Sequence, residues 1–529
     1  MRNIKAPTRG LHDLPLELLT VVFNELPFAG RIAASQVCHS WRAVALSLGT
    51  LWKDIRAEVW EHHDRCLCVL CRHRGPECPT CFRGSLPKTD HTRMLHLLKR
   101  SGSLPISLTV VLHGQSANMQ PARMIARLLH PHLRRLRRLT IQAIDATAPG
   151  AFIQCFATLP VLERLNVVCV APIFLDDEDS NYVFNDVLEA PRLELIDVFG
   201  SLPLVSPNEY RQPNFTKLQK LHCTALTLDQ VISVLRLAKT VRGLDIALSL
   251  NRSIYLSSGP WVDDIRDSIA GCVNLRRLVL NNVDVHLGVL VSALQLSRIP
   301  DITVKAVREA FELQEILPNV FHELGRPNYL ECLPEPGEDC GTTGAKSQTR
   351  WCRTTFLEVD DNDPSTRTSR SFWVQHNGAI DEIYKIWTCV PVEVALSLKV
   401  IMLDLVLATQ LLAYEQQGSS FPNVHTMTLT VSLHSTIFTR WSFEPNAELG
   451  FPSMKSIVVQ ATPGENAAEV QQHWAETASE LFTDIAGAVV ISAGRPLEMI
   501  TLRGLGPWSF GRDEDNTAAD LAESFVIIP

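Results

Sequence analysis

The sequence predicts an α/β chain with a small helical module at its N-terminus and a long body of repeated strand-plus-helix units. Three observations predict it. Between Leu14 and Trp52 apolar residues recur at helical spacing in two successive stripes. Beyond Thr89, short β-like runs alternate with helical patterns. Through that body a template of the form apolar-x-x-apolar-x-apolar returns again and again, its early copies 23 to 34 residues apart. A chain of 529 residues also exceeds the size at which one hydrophobic core stops growing, and an apolar content of 46% can fill so large an interior.

Pro15 suits a first helical turn, where its missing N–H is not needed, and Glu17 sits where the helix dipole favours a negative charge. Leu18, Leu19, Val22, Phe23 and Leu26 then form a wide apolar stripe that Pro27 ends. Ile32, Val37, Trp41, Val44, Ala45 and Leu48 make a second series, with Leu51 and Trp52 beyond Gly49. The expected product is a three-helix unit over residues 11–55. It is too small to bury all these side chains against itself, so part of its surface is expected to meet another protein or domain. The same stripes also suit the opening helices of a larger helical domain.

Residue identities add a second line of argument. Leu14-Pro15-x-Glu17-Leu18, then Val22-Phe23, Leu26, Val37-Cys38-x-x-Trp41-Arg42 and Leu51-Trp52 closely resemble the F-box motif at its normal spacing. The resemblance implies docking on the Skp-type adaptor of a cullin-based (SCF) ubiquitin ligase. Leu14, Pro15, Glu17 and Leu18 match the leading adaptor-contact motif, and Val22, Phe23, Val37 and Trp41 match positions that pack the module or lie at its interface. Gly30 departs from the family, which often has Asp or a similar residue opening the second helix; glycine there is the weaker cap. Cys38 lies on an apolar face and reads as a small buried hydrophobe.

Residues 56–90 are expected to form a Cys/His-rich linker. It carries His62, His63, Cys66, Cys68, Cys71, His73, Cys78 and Cys81, five of the chain's 14 cysteines within sixteen residues. Cys68-x-x-Cys71 and Cys78-x-x-Cys81 are two knuckle-like pairs, and Gly75-Pro76 between them lets the chain reverse. Converging, the four thiolates would hold a structural zinc. The spacer is shorter than in the usual two-knuckle site, and Cys66 is left over, so a metal-free cysteine-rich loop stays open as the other reading.

The body, residues 91–529, carries the template at Leu136/Leu139/Ile141, Leu162/Leu165/Val167, Leu193/Ile196/Val198, Leu218/Leu221/Cys223, Val241/Leu244/Ile246, Leu275/Leu278/Leu280, Ile299/Ile302/Val304, Leu398/Ile401/Leu403, Val424/Met427/Leu429, Met454/Ile457/Val459 and Leu497/Ile500/Leu502. Pro160, Pro191, Pro422 and Pro452 each stand two residues ahead of a copy, where proline ends a helix or loop before a strand. The pattern resembles leucine-rich repeats, irregularly spaced and mostly without the family's Asn ladder. The resemblance implies a solenoid whose strands turn apolar residues inward and present intervening residues on a concave sheet. An ordinary α/β domain with a parallel sheet is the alternative. In a solenoid Asn166, Asp197, His222, Asp245 and Thr428 would lie on the exposed face as candidates for contact with a target protein.

Three other segments bear on function. Arg134, Arg135, Arg137 and Arg138 form a basic run read as a solvated strand edge. Residues 331–350, rich in Pro, Gly, Glu and Thr, read as a flexible insertion. Inside it, Gly341 to Ser347 approaches a phosphate-binding loop but fails, with Ala345 and Cys340 at glycine positions. Residues 467–490 have helical character and suit a late repeat helix or a cap.

Composition excludes several classes. A net charge of -8 argues against electrostatic binding to nucleic acid or an anionic membrane. Met1 to Gly10 has no apolar run behind its basic residues, so no secretory signal is expected. The most apolar later stretch, Leu398 to Tyr414, is broken by Lys399, Asp404 and Gln410 and reads as a buried strand and helix. The expected location is cytoplasmic or nuclear, with thiols reduced or bound to metal. No nucleophile elbow, His-Glu-x-x-His, dinucleotide fingerprint or intact phosphate loop is present. A non-catalytic substrate receptor of an SCF ligase is therefore expected, partnered by the adaptor, the cullin complex and an unknown target. An F-box scaffold or regulator without a role in ubiquitination, with the zinc as a stabilising element, is the alternative.

Overall fold

A computed structural model describes residues 14–59, 91–113, 120–144, 147–169, 188–199, 215–225, 227–248, 261–281, 293–294, 296–307, 327–335, 350–359, 367–376, 392–405, 421–431, 451–461, 493–503 and 521–528, with a few isolated positions between them. The chain divides into two units, one of residues 1–251 with 271–274 and one of residues 252–270 with 275–529.

The first unit opens with α1 (Leu16–Glu25), α2 (Phe28–Ala34) and α3 (His39–Ser47), followed by a 3-10 turn over Gly49–Trp52. Proline precedes each of the first two helices, Pro15 and Pro27 both in extended conformations that feed the first turn. Helix α2 therefore starts two residues before Gly30, and Gly30 is an interior position with no capping role. The cap of α3 is Cys38, whose sulfur accepts from the Trp41 N–H at 3.5 Å. Cys38 is half-buried at a helix start, which corrects its reading as a core hydrophobe.

The next strand, β1 (Asp54–Val59), begins two residues after Trp52. The expected boundary at residue 55 thus falls inside a strand, and residues 56–59 belong to the sheet. Residues 60–90 lie outside the described residues. After α4 (His91–Arg100) come β2 (Ile106–Leu112), α5 (Gln120–Leu129), a 3-10 helix over His130–Arg135, β3 (Leu136–Ala143) and α6 (Thr147–Ile153). Then follow β4 (Arg164–Cys169), β5 (Leu195–Phe199), β6 (Lys220–Ala225), α7 (Leu228–Leu237) and β7 (Gly243–Leu248). Strands β1 to β7 pair in chain order, every pairing parallel. Parallel neighbours need a crossover between them, which is where the helices go.

The second unit contains α8 (Trp261–Ala270), β8 (Arg277–Asn281), β9 (Asp301–Val307), β10 (Tyr329–Glu335), β11 (Arg350–Val359), β12 (Arg367–His376), α9 (Val392–Ser397), β13 (Val400–Asp404), β14 (Thr426–Val431), β15 (Ser456–Ala461), β16 (Met499–Arg503) and β17 (Phe525–Ile528). Pairings run β8–β9–β12–β11–β10–β13 and on in order to β17. All are parallel except the two that flank β11, so an antiparallel meander is spliced between two parallel stretches. Residues 331–335, expected within the flexible insertion, are strand in β10; residues 336–349 lie outside the described residues.

All eleven template copies lie in or lead into strands, and every one of their apolar positions is buried. A turn sets up several of them. The amide of Leu162 donates to Leu159, Leu193 to Ala190, Leu218 to Phe215, Val424 to Phe421 and Met454 to Phe451. Pro160, Pro191, Pro422 and Pro452 occupy the second place of such turns, where the ring pre-sets φ. The turn's first residue is apolar and buried, and in the second unit Phe421 and Phe451 stack ring on ring, 5.7 Å apart at 15°. Of residues 467–490, the described positions 482, 485–487, 489 and 490 are helical, with Phe482, Ile485, Ala486 and Val489 buried.

Candidate functional site

Two surfaces of the first unit carry functional potential. The first is the N-terminal module. Its core is closed by Leu19, Phe23, Ala45, Leu51 and Trp52. Trp52 is fully buried and its indole N–H donates to the Ala45 carbonyl at 2.7 Å. Arg31 ties the module from outside, donating to the carbonyls of Asn24 and Leu26 at the end of α1 and of Leu51 in the 3-10 turn. With its own core complete, the module still exposes large apolar side chains: Leu16 (51%), Leu18 (52%), Val21 (57%), Val22 (38%) and Val37 (61%).

The residues expected to meet an adaptor divide accordingly. Pro15, Glu17, Leu18, Val22 and Val37 are exposed, and Leu14 is half-buried. Phe23 is completely covered and packs edge-on to Trp41, ring centroids 5.7 Å apart, so its work is internal. Trp41 is half-buried, and its indole nitrogen has no acceptor among the described residues. Leu16 and Val21 join the exposed set although they fall off the apolar stripe read from the sequence. Their signal was simply that both are large and apolar on a helix whose inner face was already filled.

The second surface is the outward face of strands β1 to β7. Register places Asn166, Asp197, His222 and Asp245 on one row, each opposite the next. Neighbours in such a row stand about 4.8 Å apart. His222 Nδ1 lies 2.8 Å from Asp197 Oδ1, and its Nε2 lies 3.9 Å from Asp245 Oδ1. The Phe199 ring meets the imidazole edge-on at 4.6 Å. A parallel row nearer the strand starts runs Arg138, Arg164, Leu195, Lys220 and Gly243. Arg138, Arg164 and Lys220 are exposed. The face therefore sets a cationic row beside a row of carboxylates and imidazole. Thr428, expected on a similar face, is buried in β14, although its register neighbours Met402 and Val458 are half-buried; that expectation is corrected.

The basic run Arg134, Arg135, Arg137 and Arg138, which straddles the start of β3, splits by role. Arg135 turns back to donate to the carbonyls of Leu104 and Gly102 and to the Ser101 hydroxyl. There Gly102 adopts a positive φ of 57°. Arg137 pairs with Glu163 at 3.1 Å. Arg134, Arg137 and Arg138 are exposed, as expected of a solvated edge, and half-buried Arg135 is the departure.

Cys68, Cys71, Cys78 and Cys81 lie outside the described residues, as does the segment Gly341 to Ser347. Among the described residues no group of three or more His, Cys, Asp or Glu is placed to hold a metal. Buried Cys223 and Cys272 have thiols pushed up by burial, that of Cys272 to about 11, which leaves them protonated and inert. No helix among the described residues is long and apolar enough to cross a membrane.

Comparison with known families agrees with the geometry of the module. Residues 11–58 match the F-box-like family. An F-box-like domain thus occupies the N-terminal end of the described structure. No curated protein matches the chain.

Proposed function

We propose that the chain is the substrate-recognition subunit of a Skp-cullin-F-box ubiquitin ligase. The F-box-like domain docks on a Skp-type adaptor, and the parallel strand ladder, read as an irregular leucine-rich-repeat-like solenoid, holds a target protein. The observation that carries the reading is the uncovered apolar surface of Leu16, Leu18, Val21, Val22 and Val37 on a module whose own core is already closed. Burying such side chains contributes roughly 1.5–3 kcal/mol each before the losses of association. On the target side, the Arg138/Arg164/Lys220 row beside Asp197 and Asp245 supports recognition by charge pattern. The contribution to ubiquitination is proximity, with no chemistry on this chain.

The test is copurification with the adaptor. Leu18→Glu with Val22→Glu should abolish it while circular dichroism stays unchanged, because both side chains already face solvent. Retained adaptor binding in that double variant overturns the docking reading. A scaffold or regulatory role uses the same docking, and is favoured if bound proteins neither acquire ubiquitin nor accumulate when this chain is depleted. The paired cysteines Cys68/Cys71 and Cys78/Cys81 support a structural zinc near the module. About one zinc per chain is expected by metal analysis, falling to none in Cys68→Ser with Cys78→Ser; a metal-free folded wild type refutes it.

A further inference from the structure

On the helical side of the first unit, α5 and the segment after α6 enclose an open pocket of about 480 Å³ lined by Arg123, Ala126, Arg127, His130, Pro131 and Cys155. Arg123, Arg127 and His130 stand at i, i+4 and i+7, one continuous stripe along α5 and into the 3-10 helix that follows. Like charges four apart on a helix repel one another. Neither arginine is ion-paired with a carboxylate among the described residues. Both guanidinium groups act on the Cys155 thiol, whose proton affinity is raised by burial and drawn down by each arginine in turn, so both charges bear on the same cavity. Of the lining residues Ala126 is buried, and Cys155 follows a helix whose Phe152 is fully buried.

We propose that this pocket is an anion site that takes a phosphate group, free or as a monoester, between Arg123 and Arg127 with His130 as a further donor. Guanidinium forks one helical turn apart present paired N–H groups that match tetrahedral phosphate oxygens better than a single planar carboxylate. An anion there also relieves the repulsion that the helix otherwise carries. The site is separate from the adaptor and target surfaces and does not depend on either reading.

Cys155 serves as a reporter inside the pocket. Full-length protein is alkylated with iodoacetamide, and modification of each cysteine is followed by mass spectrometry at constant ionic strength. Inorganic phosphate is one arm, O-phosphoserine the other, and sodium chloride the control. Bound phosphate covers the thiol and cancels the positive field that favours its thiolate, so Cys155 should react roughly tenfold more slowly while Cys38, in the N-terminal module, is unaffected. The arm that protects at lower concentration identifies the source of the phosphate. In Arg123→Gln with Arg127→Gln, both exposed positions, protection should disappear; single Arg127→Gln gives the same reading if the double variant loses its helical signal. Unchanged Cys155 reactivity in both phosphate arms, equal protection in the variant, or equal slowing of Cys38 overturns the proposal.

Discussion

Arg31 and Gly30 sit side by side in α2 and show how little of a residue's role is set by its type alone. Arg31 spans two helix ends through three backbone carbonyls, supplying the hydrogen bonds that the end of α1 lacks internally. Gly30 does nothing comparable. A Cβ built there meets Leu26 and Pro27 no closer than 3.4 Å, at ordinary contact distance. Glycine inside a helix costs about 1 kcal/mol relative to alanine. Gly30→Ala should therefore raise stability by roughly 0.5–1 kcal/mol in urea unfolding, with adaptor binding unchanged. A loss of stability would show that α2 is tighter than these distances indicate. At Cys38 the Ser40 hydroxyl, and then the Trp41 N–H, hold the thiol below its usual value, an effect of capping invisible in an apolar-stripe reading.

Among elements, the strands β3 to β9 and β13 to β16 were legible through the template, whereas the parallel strands β1, β2 and β17 and the antiparallel meander carry none of its eleven copies. A strand entered from a crossover has a turn before it and a buried inner face, which together write the template and the proline ahead of it. Strands β11 and β12 lie in the antiparallel meander and carry no such prefix. Pairs such as Thr355 with Ser371, whose hydroxyls meet at 3.0 Å, are buried yet polar and left no apolar mark. The candidate rows on the sheet face were legible one residue at a time, but register alone brought Asp197 and Asp245 to either side of His222. Before β3, burial and then Arg135 lower the proton affinity of His132. At pH well above 6.5, His132 is neutral both folded and unfolded and exerts no penalty. As pH falls below 6.5 the unfolded chain takes up the proton first, so stability is lost down through the folded value. The melting temperature of the wild type should drop over that window more than that of His132→Gln. Equal slopes would mean that other groups govern the acid side.

At the scale of the whole chain, the division into two units was not legible, because the template runs through both. What the sequence did reveal was the contrast between a small module with surplus apolar surface and a long body without a nucleophile elbow, His-Glu-x-x-His, dinucleotide fingerprint or intact phosphate loop. The F-box-like match rests on the first of these and leaves the second to be read from its own surface. The inner rows of Leu, Ile and Val hold the ladder, while Arg138, Arg164 and Lys220 of the outer face are exposed.

The passage from module to ladder has one more consequence. Trp52 ends the 3-10 turn, Asp54 begins β1, and α4 leans on the module through Arg93 over the Phe28 ring and Arg100 over the Trp52 ring, at 5.2 and 5.1 Å. Each such contact contributes about 0.5–1 kcal/mol. No slack segment separates the two among the residues that make this join. A handle and a blade forged in one piece cannot be aimed independently: whatever grips the handle also fixes the direction in which the first strands of the face point.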